Sequence, residues 1–115
     1  MSPRPPASGV RSRAVERAHV VAPRGELDLL SADEVQAELR ARPEGCDIVV
    51  LDLRGLTFLD TSGIRLTLET LQELDREGVR FAVVRGGPDV QRLFTLARLD
   101  DRLTFFDDLD AALAA

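Results

Sequence analysis

A fully apolar run at residues 48–51 constrains the fold of this chain more than any other feature. Its sequence is IVVL, and four apolar residues in succession are typical of a strand that is buried on both faces of a sheet. After a short connection, side chains suited to burial recur at helical spacing, at Ile64, Thr67, Leu68, Leu71 and Leu74. A buried strand followed by a helix with one apolar face is the repeating unit of parallel α/β sheets.

Strands and helices alternate along most of the chain. Apolar runs predict a short strand or strand pair from Ala14, clearest at 18–22, and further strands at 47–53, 79–84 and 103–106. Apolar periodicity predicts helices that begin near residues 31, 61, 88 and 109. Alternating elements with short links predict an α/β fold, in which a mixed, mostly parallel sheet of four to five strands is covered by about four helices.

Turn and capping residues predict where individual elements begin and end. Residues 25–28, with the sequence GELD, predict a turn. Ser31, followed three residues later by Glu34, predicts a capping box at the start of the first helix. The long helix is expected to span Thr61–Glu77 and to end at Gly78.

The first 13 residues differ in composition from the rest of the chain. They hold three prolines and almost nothing to bury, so they predict a flexible basic tail, and the domain is expected to span residues 14–115. Residues 1–24 carry five arginines and one glutamate, while the remaining residues carry a net charge of −9. We interpret this asymmetry as a solvated basic tail on an acidic domain.

Composition excludes several classes of site. Cys46 is the only cysteine, so the chain can form neither an internal disulfide nor a cysteine-based metal site. All 15 basic residues are arginines, which excludes a lysine-dependent phosphate loop, and the chain has no glycine-rich cradle for a nucleotide cofactor. His19 is the single histidine and has no nucleophile positioned beside it, so we expect neither a cofactor nor an enzyme.

The same numbers bear on partners and location. A net charge of −5, with no Trp and no Tyr, argues against direct binding of nucleic acid. No apolar run approaches the roughly 20 residues needed to cross a bilayer, and no signal-peptide pattern opens the chain. The sequence therefore predicts a cytoplasmic protein without a membrane partner.

Residues 60–63, with the sequence DTSG, lie at the mouth of the long helix, beyond the carboxyl end of the buried strand. Open α/β sheets place functional groups there, and hydroxyls without catalytic neighbours are better suited to being modified than to performing chemistry. Helix capping is the competing interpretation, because Asp, Thr and Ser each contribute ~1 kcal/mol over Ala at an N-cap. Gly63 costs up to ~1 kcal/mol relative to Ala inside a first turn, so we expect another backbone to approach it closely.

Three segments carry a resemblance to a known family. Residues 51–74, LDLRGLTFLDTSGIRLTLETLQEL, resemble the core of the STAS domain, which is found in sulfate transporters and in bacterial anti-sigma factor antagonists. The GELD segment at 25–28 and the RLF segment at 92–94, followed by Leu99-Asp100, resemble two further segments of that family in the expected order. The resemblance covers about residues 14–115 and implies a STAS-like fold.

The resemblance to the antagonist family implies a regulatory binding module. In that family an anti-sigma factor, which is a serine/threonine protein kinase, phosphorylates the first hydroxyl after the Asp. The unphosphorylated antagonist binds this kinase and releases a sigma factor, and a phosphatase resets the system. By position, the acceptor is Thr61, with Ser62 as the alternative that more naturally caps the helix. The implied partner interface consists of Asp28, Asp60, Ser62, Gly63 and Arg65, where Asp60 positions the hydroxyl and Gly63 admits the partner's backbone.

Two alternative interpretations of the site exist, and one residue departs from the family pattern. A STAS-type accessory subunit of a membrane transport complex would use the same face without phosphorylation. A Mg²⁺ site at Asp28, Asp52 and Asp60 has little support, because these carboxylates are scattered along the sequence. Arg98 stands where the family commonly has Gly, so we expect the third helix to end differently.

Overall fold

The computed structural model describes the backbone of residues 10–15 and 17–114, with side chains from Arg17 onward. The elements in chain order are β1 (Val10–Val15), β2 (Ala18–Pro23), β3 (Gly25–Leu27), α1 (Ala32–Arg40), β4 (Ile48–Asp52), β5 (Leu56–Leu59), α2 (Thr61–Glu77), β6 (Arg80–Val84), α3 (Pro88–Leu96), β7 (Thr104–Phe106) and α4 (Leu109–Ala114).

The main sheet has five strands in the order β1-β2-β4-β6-β7. Strand β1 pairs antiparallel with β2, and the remaining neighbours pair in parallel. The prediction of a mixed, mostly parallel sheet with four helices is therefore confirmed. The predicted domain start is wrong, because β1 begins at Val10, inside the segment expected to be a flexible tail. Val10 is held by pairing with Pro23, a long-range contact that the Pro-rich local sequence does not reveal.

A second sheet of two parallel strands, β3 and β5, carries the chain toward residues 60–63. The predicted turn at residues 25–28 is wrong, since Gly25–Leu27 form β3 and pair with Leu56–Leu59. A three-residue strand has too few positions for alternation to be visible, and its partner lies about thirty residues away in the chain. Leu27 and Leu59 are directly paired, so both strands end at the same edge.

The helices cover both faces of the main sheet. Helices α1, α2 and α3 pack on one face, where Val49, Leu51 and Val83 contact the buried side chains Leu74 and Phe94. Helix α4 packs on the other face, where its Ala112 joins a smaller cluster with Ile48, Val50, Ala82 and Val84. This burial on both sides explains why the residues of β4 read as a continuous apolar run.

Helices α1 and α2 are joined along their exposed edges by a row of polar contacts. Gln36 donates to Glu69 at 2.9 Å, Arg42 pairs with Glu77 at 2.6 Å, and the Arg40 guanidinium pairs with Glu73. The hydrogen bond from Arg40 lowers the pKa of the Glu73 carboxyl below its ordinary value. These contacts fix α1 against α2 at the surface while their apolar faces pack below.

His19 and Arg98 have structural roles. His19 is buried, and its Nε2 donates to the carbonyl of Glu38 in α1 at 2.7 Å, in agreement with the expectation that it is not catalytic. Arg98 lies in the left-handed region with φ 59°, and Leu99 N donates to Phe94 O at 3.0 Å. The expectation that α3 ends differently is therefore wrong, because the arginine adopts the conformation that usually favours glycine.

Candidate functional site

The start of α2 is capped by Asp60. The Asp60 backbone is extended, with φ −115° and ψ −171°, and its carboxylate accepts the amide of Ser62 at 2.8 Å. The expectation that Ser62 caps the helix is wrong, because the cap lies two residues earlier and uses the backbone of Ser62. That Asp60 positions the hydroxyl stays a prediction, since its carboxylate is bonded to the amide of Ser62.

Thr61 is the first residue of α2 and is exposed, whereas Ser62 is half-buried. Within residues 17–114 neither hydroxyl forms a hydrogen bond. The Thr61 side chain is therefore accessible to a docking protein. Arg65 is also exposed and lies four residues further on, so it shares the Thr61 face of the helix.

Gly63 is buried, and the neighbours that require its small size belong to the same chain. A Cβ at this position would lie 2.1 Å from Leu59 Cδ1 and 3.1 Å from Leu27 Cγ. The expected role in admitting the backbone of a partner is therefore corrected, because Gly63 lets the first turn of α2 pack onto the ends of β3 and β5. The missing methyl group is an internal packing requirement of the site.

Asp28 lies beside this helix start, in a turn that closes on itself. The Asp60 amide donates to the carbonyl of Leu27 at 3.2 Å, so the residue after β3 and the residue after β5 are neighbours. The Asp28 carboxylate accepts the amides of Leu30 at 3.0 Å and Ser31 at 3.2 Å. Asp28 thus holds the turn between β3 and α1.

Ser31 closes the same turn from the other side. Its hydroxyl accepts the Asp28 amide at 3.0 Å and donates to the carbonyl of Glu26 at 3.0 Å. It makes no side-chain bond to the amides of α1, so the predicted capping box with Glu34 is wrong. The Ser31 hydroxyl already bonds to Asp28 and Glu26 within the turn, so it is not available to cap the amides of α1.

The three carboxylates considered for Mg²⁺ do not form one site. Asp52 is buried at the end of β4, and its carboxylate is held by the Arg54 guanidinium, with Nε at 3.0 Å from Oδ1. The same hydrogen bond raises the pKa of Arg54. Asp28 and Asp60 both accept backbone amides. Among the described residues, no group of three His, Cys, Asp or Glu side chains is placed to hold a metal ion.

The fold and the site together define an α/β binding domain that presents a hydroxyl at the start of a helix. A sequence profile of the STAS domain matches residues 10–112, and the chain belongs to the STAS-domain family. The family match confirms the prediction that the chain is a regulatory binding domain and not an enzyme. In the part of the chain with described helices, none is long and apolar enough to cross a membrane.

Two relatives by sequence and one solved structure carry the name anti-sigma factor antagonist. The anti-sigma F factor antagonist of Paenibacillus polymyxa is 29% identical over 86 residues, which is 73% of this chain and 74% of that protein. The protein of the same name from Lysinibacillus sphaericus is 27% identical over 77 residues, 65% of this chain and 66% of its own length. The crystal structure of an anti-sigma factor antagonist from Mycobacterium paratuberculosis superposes with a TM-score of 0.83, at 27% identity, covering 91% of this chain and 90% of that one.

Proposed function

We propose that this chain is an anti-sigma factor antagonist that is switched by phosphorylation of Thr61. In its unphosphorylated form it binds an anti-sigma factor, a serine/threonine protein kinase, and thereby releases a sigma factor. The observation that carries the proposal is the exposed Thr61 side chain at a capped helix start, whose hydroxyl has no hydrogen-bond partner among residues 17–114. The names of the relatives support the same assignment. Ser62, which is half-buried, is the alternative acceptor.

Phosphorylation at this position is compatible with the folded domain. A phosphate at a helix N-terminus is stabilised by the helix dipole and by free amides. The Asp60 cap involves the amide of Ser62 and not the Thr61 side chain, so the modification leaves the cap in place. The effect of phosphorylation must therefore be on association and not on folding.

The change in charge is large enough to control binding. A phosphate adds a charge of about −1.5 to −2 at neutral pH, here next to the carboxylate of Asp60. Moving a complex from 99% bound to 1% bound needs roughly 5.5 kcal/mol. Desolvating a dianion without matching donors costs several kcal/mol, so one phosphate in the contact is sufficient.

The remaining partners follow from this assignment. A phosphatase removes the phosphate and resets the switch, and the sigma factor is controlled indirectly, so the chain itself binds neither nucleic acid nor a membrane. Its site of action is the cytoplasm, where sigma factors and their kinases operate. Arg65, exposed on the Thr61 face of α2, belongs to the contact with the kinase.

The proposal is tested with purified anti-sigma factor kinases from the same genome. Each is incubated with the chain and ATP, and the modified residue is mapped by mass spectrometry, with Ser62→Ala as the matched control that should still be phosphorylated. Thr61→Ala should fold and bind the kinase, whereas Thr61→Glu should fold and bind at least about 100-fold more weakly. Equal affinities for the two variants would contradict the proposed phosphorylation switch. Neither binding to nor phosphorylation by any of these kinases would favour a STAS-type accessory subunit of a transport complex.

A further inference from the structure

Two adjacent leucines are the most exposed large apolar side chains in residues 17–114. Leu29 is 75% exposed and Leu30 is 92% exposed. Single exposed leucines are common on protein surfaces. Two neighbours fixed at the same place form a small apolar patch, which is a feature of interaction sites.

The leucine pair is held outward by the turn that contains it. The Asp28 carboxylate accepts the amide of Leu30, and the Ser31 hydroxyl accepts the amide of Asp28 and donates to the carbonyl of Glu26. Because hydrogen bonds hold both ends of this two-residue segment, Leu29 and Leu30 cannot turn toward the core. The backbone that carries the patch is therefore held in place before any partner arrives, which lowers the entropy lost on binding.

The leucine pair and Thr61 lie on the same edge of the fold. Strands β3 and β5 are parallel, Leu27 pairs with Leu59, and the Asp60 amide donates to the Leu27 carbonyl. The two chain segments therefore leave the small sheet side by side, one leading to the leucines and the other to Thr61. Gly63 keeps them in contact, since α2 packs directly on Leu27.

The polar groups of this edge offer a partner little binding energy of their own. The carboxylates of Asp28 and Asp60 already accept backbone amides, and the Thr61 hydroxyl is small and neutral. Protein contacts derive most of their affinity from a few buried apolar side chains surrounded by a polar rim. The leucine pair, whose side chains are more exposed than that of Phe58 in β5 at 49%, can supply such a centre.

We propose that Leu29 and Leu30 are the apolar anchor by which the anti-sigma factor kinase holds the unphosphorylated chain. The inference rests on the proposed function and names the part of the surface that provides the affinity. The kinase carries an apolar pocket for the two leucines, and its contact continues from them onto Thr61. Phosphorylation then places a dianion at the margin of an apolar contact, where its desolvation is least compensated.

The test uses a kinase that binds the wild-type chain and phosphorylates Thr61. Affinities are measured by calorimetry for the wild type, for Leu29→Ala/Leu30→Ala and for the control Leu96→Ala, which removes a leucine that is 68% exposed at the end of α3. The double variant should bind about 30-fold more weakly or worse, and the control within about twofold of wild type. As a kinase substrate, the double variant should have a raised KM with an unchanged kcat.

Each other outcome overturns a distinct statement. Wild-type affinity in Leu29→Ala/Leu30→Ala, with unfolding midpoints equal to wild type, overturns the anchor and leaves the proposed function standing. Failure of every kinase to bind the wild-type chain overturns the proposed function, and the anchor with it. A wild-type dimer in analytical ultracentrifugation that dissociates in the double variant assigns the leucines to a second copy of the chain and also overturns the anchor.

Discussion

Replacing Gly63 by alanine tests the packing beneath Thr61, the proposed phosphoacceptor. The new Cβ would lie 2.1 Å from Leu59 Cδ1, so that methyl group must move by roughly 1.5 Å to reach an ordinary contact. Leu59 is 6% exposed and Leu27 is fully buried, so the end of the Leu59 side chain has to move within packed surroundings. Repacking strain of about 1–3 kcal/mol exceeds the gain in helix propensity of up to ~1 kcal/mol.

We therefore expect Gly63→Ala to lose about 1–2 kcal/mol of unfolding free energy, a fall in Tm of about 4–10 °C. The measurement is thermal and urea denaturation followed by circular dichroism. Gly87→Ala controls for the clash, because a Cβ there meets nothing within 4 Å; Gly87 is the N-cap of α3, where alanine is less favourable than glycine, so its Tm should fall by less than that of Gly63→Ala. In a Leu59→Val background, which lacks the clashing methyl group, Gly63→Ala should cost less. An unchanged or raised Tm for Gly63→Ala alone would refute the reasoning.

Two further predictions concern stability. Arg98→Gly should stabilise the domain by about 0.5–1 kcal/mol, because the left-handed backbone at φ 59° is strained for a side chain; Arg98→Ala, which keeps the strain, should bring no gain in urea denaturation. Glu73→Gln should lower Tm modestly at neutral pH, since Arg40 holds the pKa of Glu73 below its ordinary value. A lowered pKa stabilises the fold above the unfolded-state pKa and loses that contribution as pH falls through the folded-state pKa. The Tm difference from wild type should therefore shrink as the pH falls from the ordinary Glu pKa through the lowered folded-state pKa, and a difference that does not shrink on acidification contradicts the pairing.

The sequence predicted the elements whose signals are local. The apolar run of β4 and the helical period of α2 are long enough to exclude other interpretations, and Gly78 ends α2 in the left-handed conformation that was expected. Pro88 likewise stands in the first turn of α3. In each case the structure of the segment is determined by residues within that segment, so the local sequence is sufficient to predict it.

The features that were missed depend on contacts between distant segments. Strands β3 and β5 are too short to show a period and exist because they pair with each other. Ser31 resembles a capping residue in sequence, but its hydroxyl bonds to Asp28 and Glu26 instead. The need for a small residue at Gly63 was recognised, whereas the side chain responsible, Leu59, becomes evident only from the three-dimensional packing.

Because β3 pairs with β5, the relative positions of Asp28 and Asp60 do not depend on the length of the chain segment that connects them. Residues 28 and 60 are held together by the bond from Asp60 to Leu27, while α1, β4 and the exposed stretch Pro43–Gly45 lie between them. A flexible insert of moderate size at that stretch closes a loop at small entropic cost. Fluorescent reporters or tethers can therefore be introduced there while the surface around Asp28 and Asp60 keeps its shape.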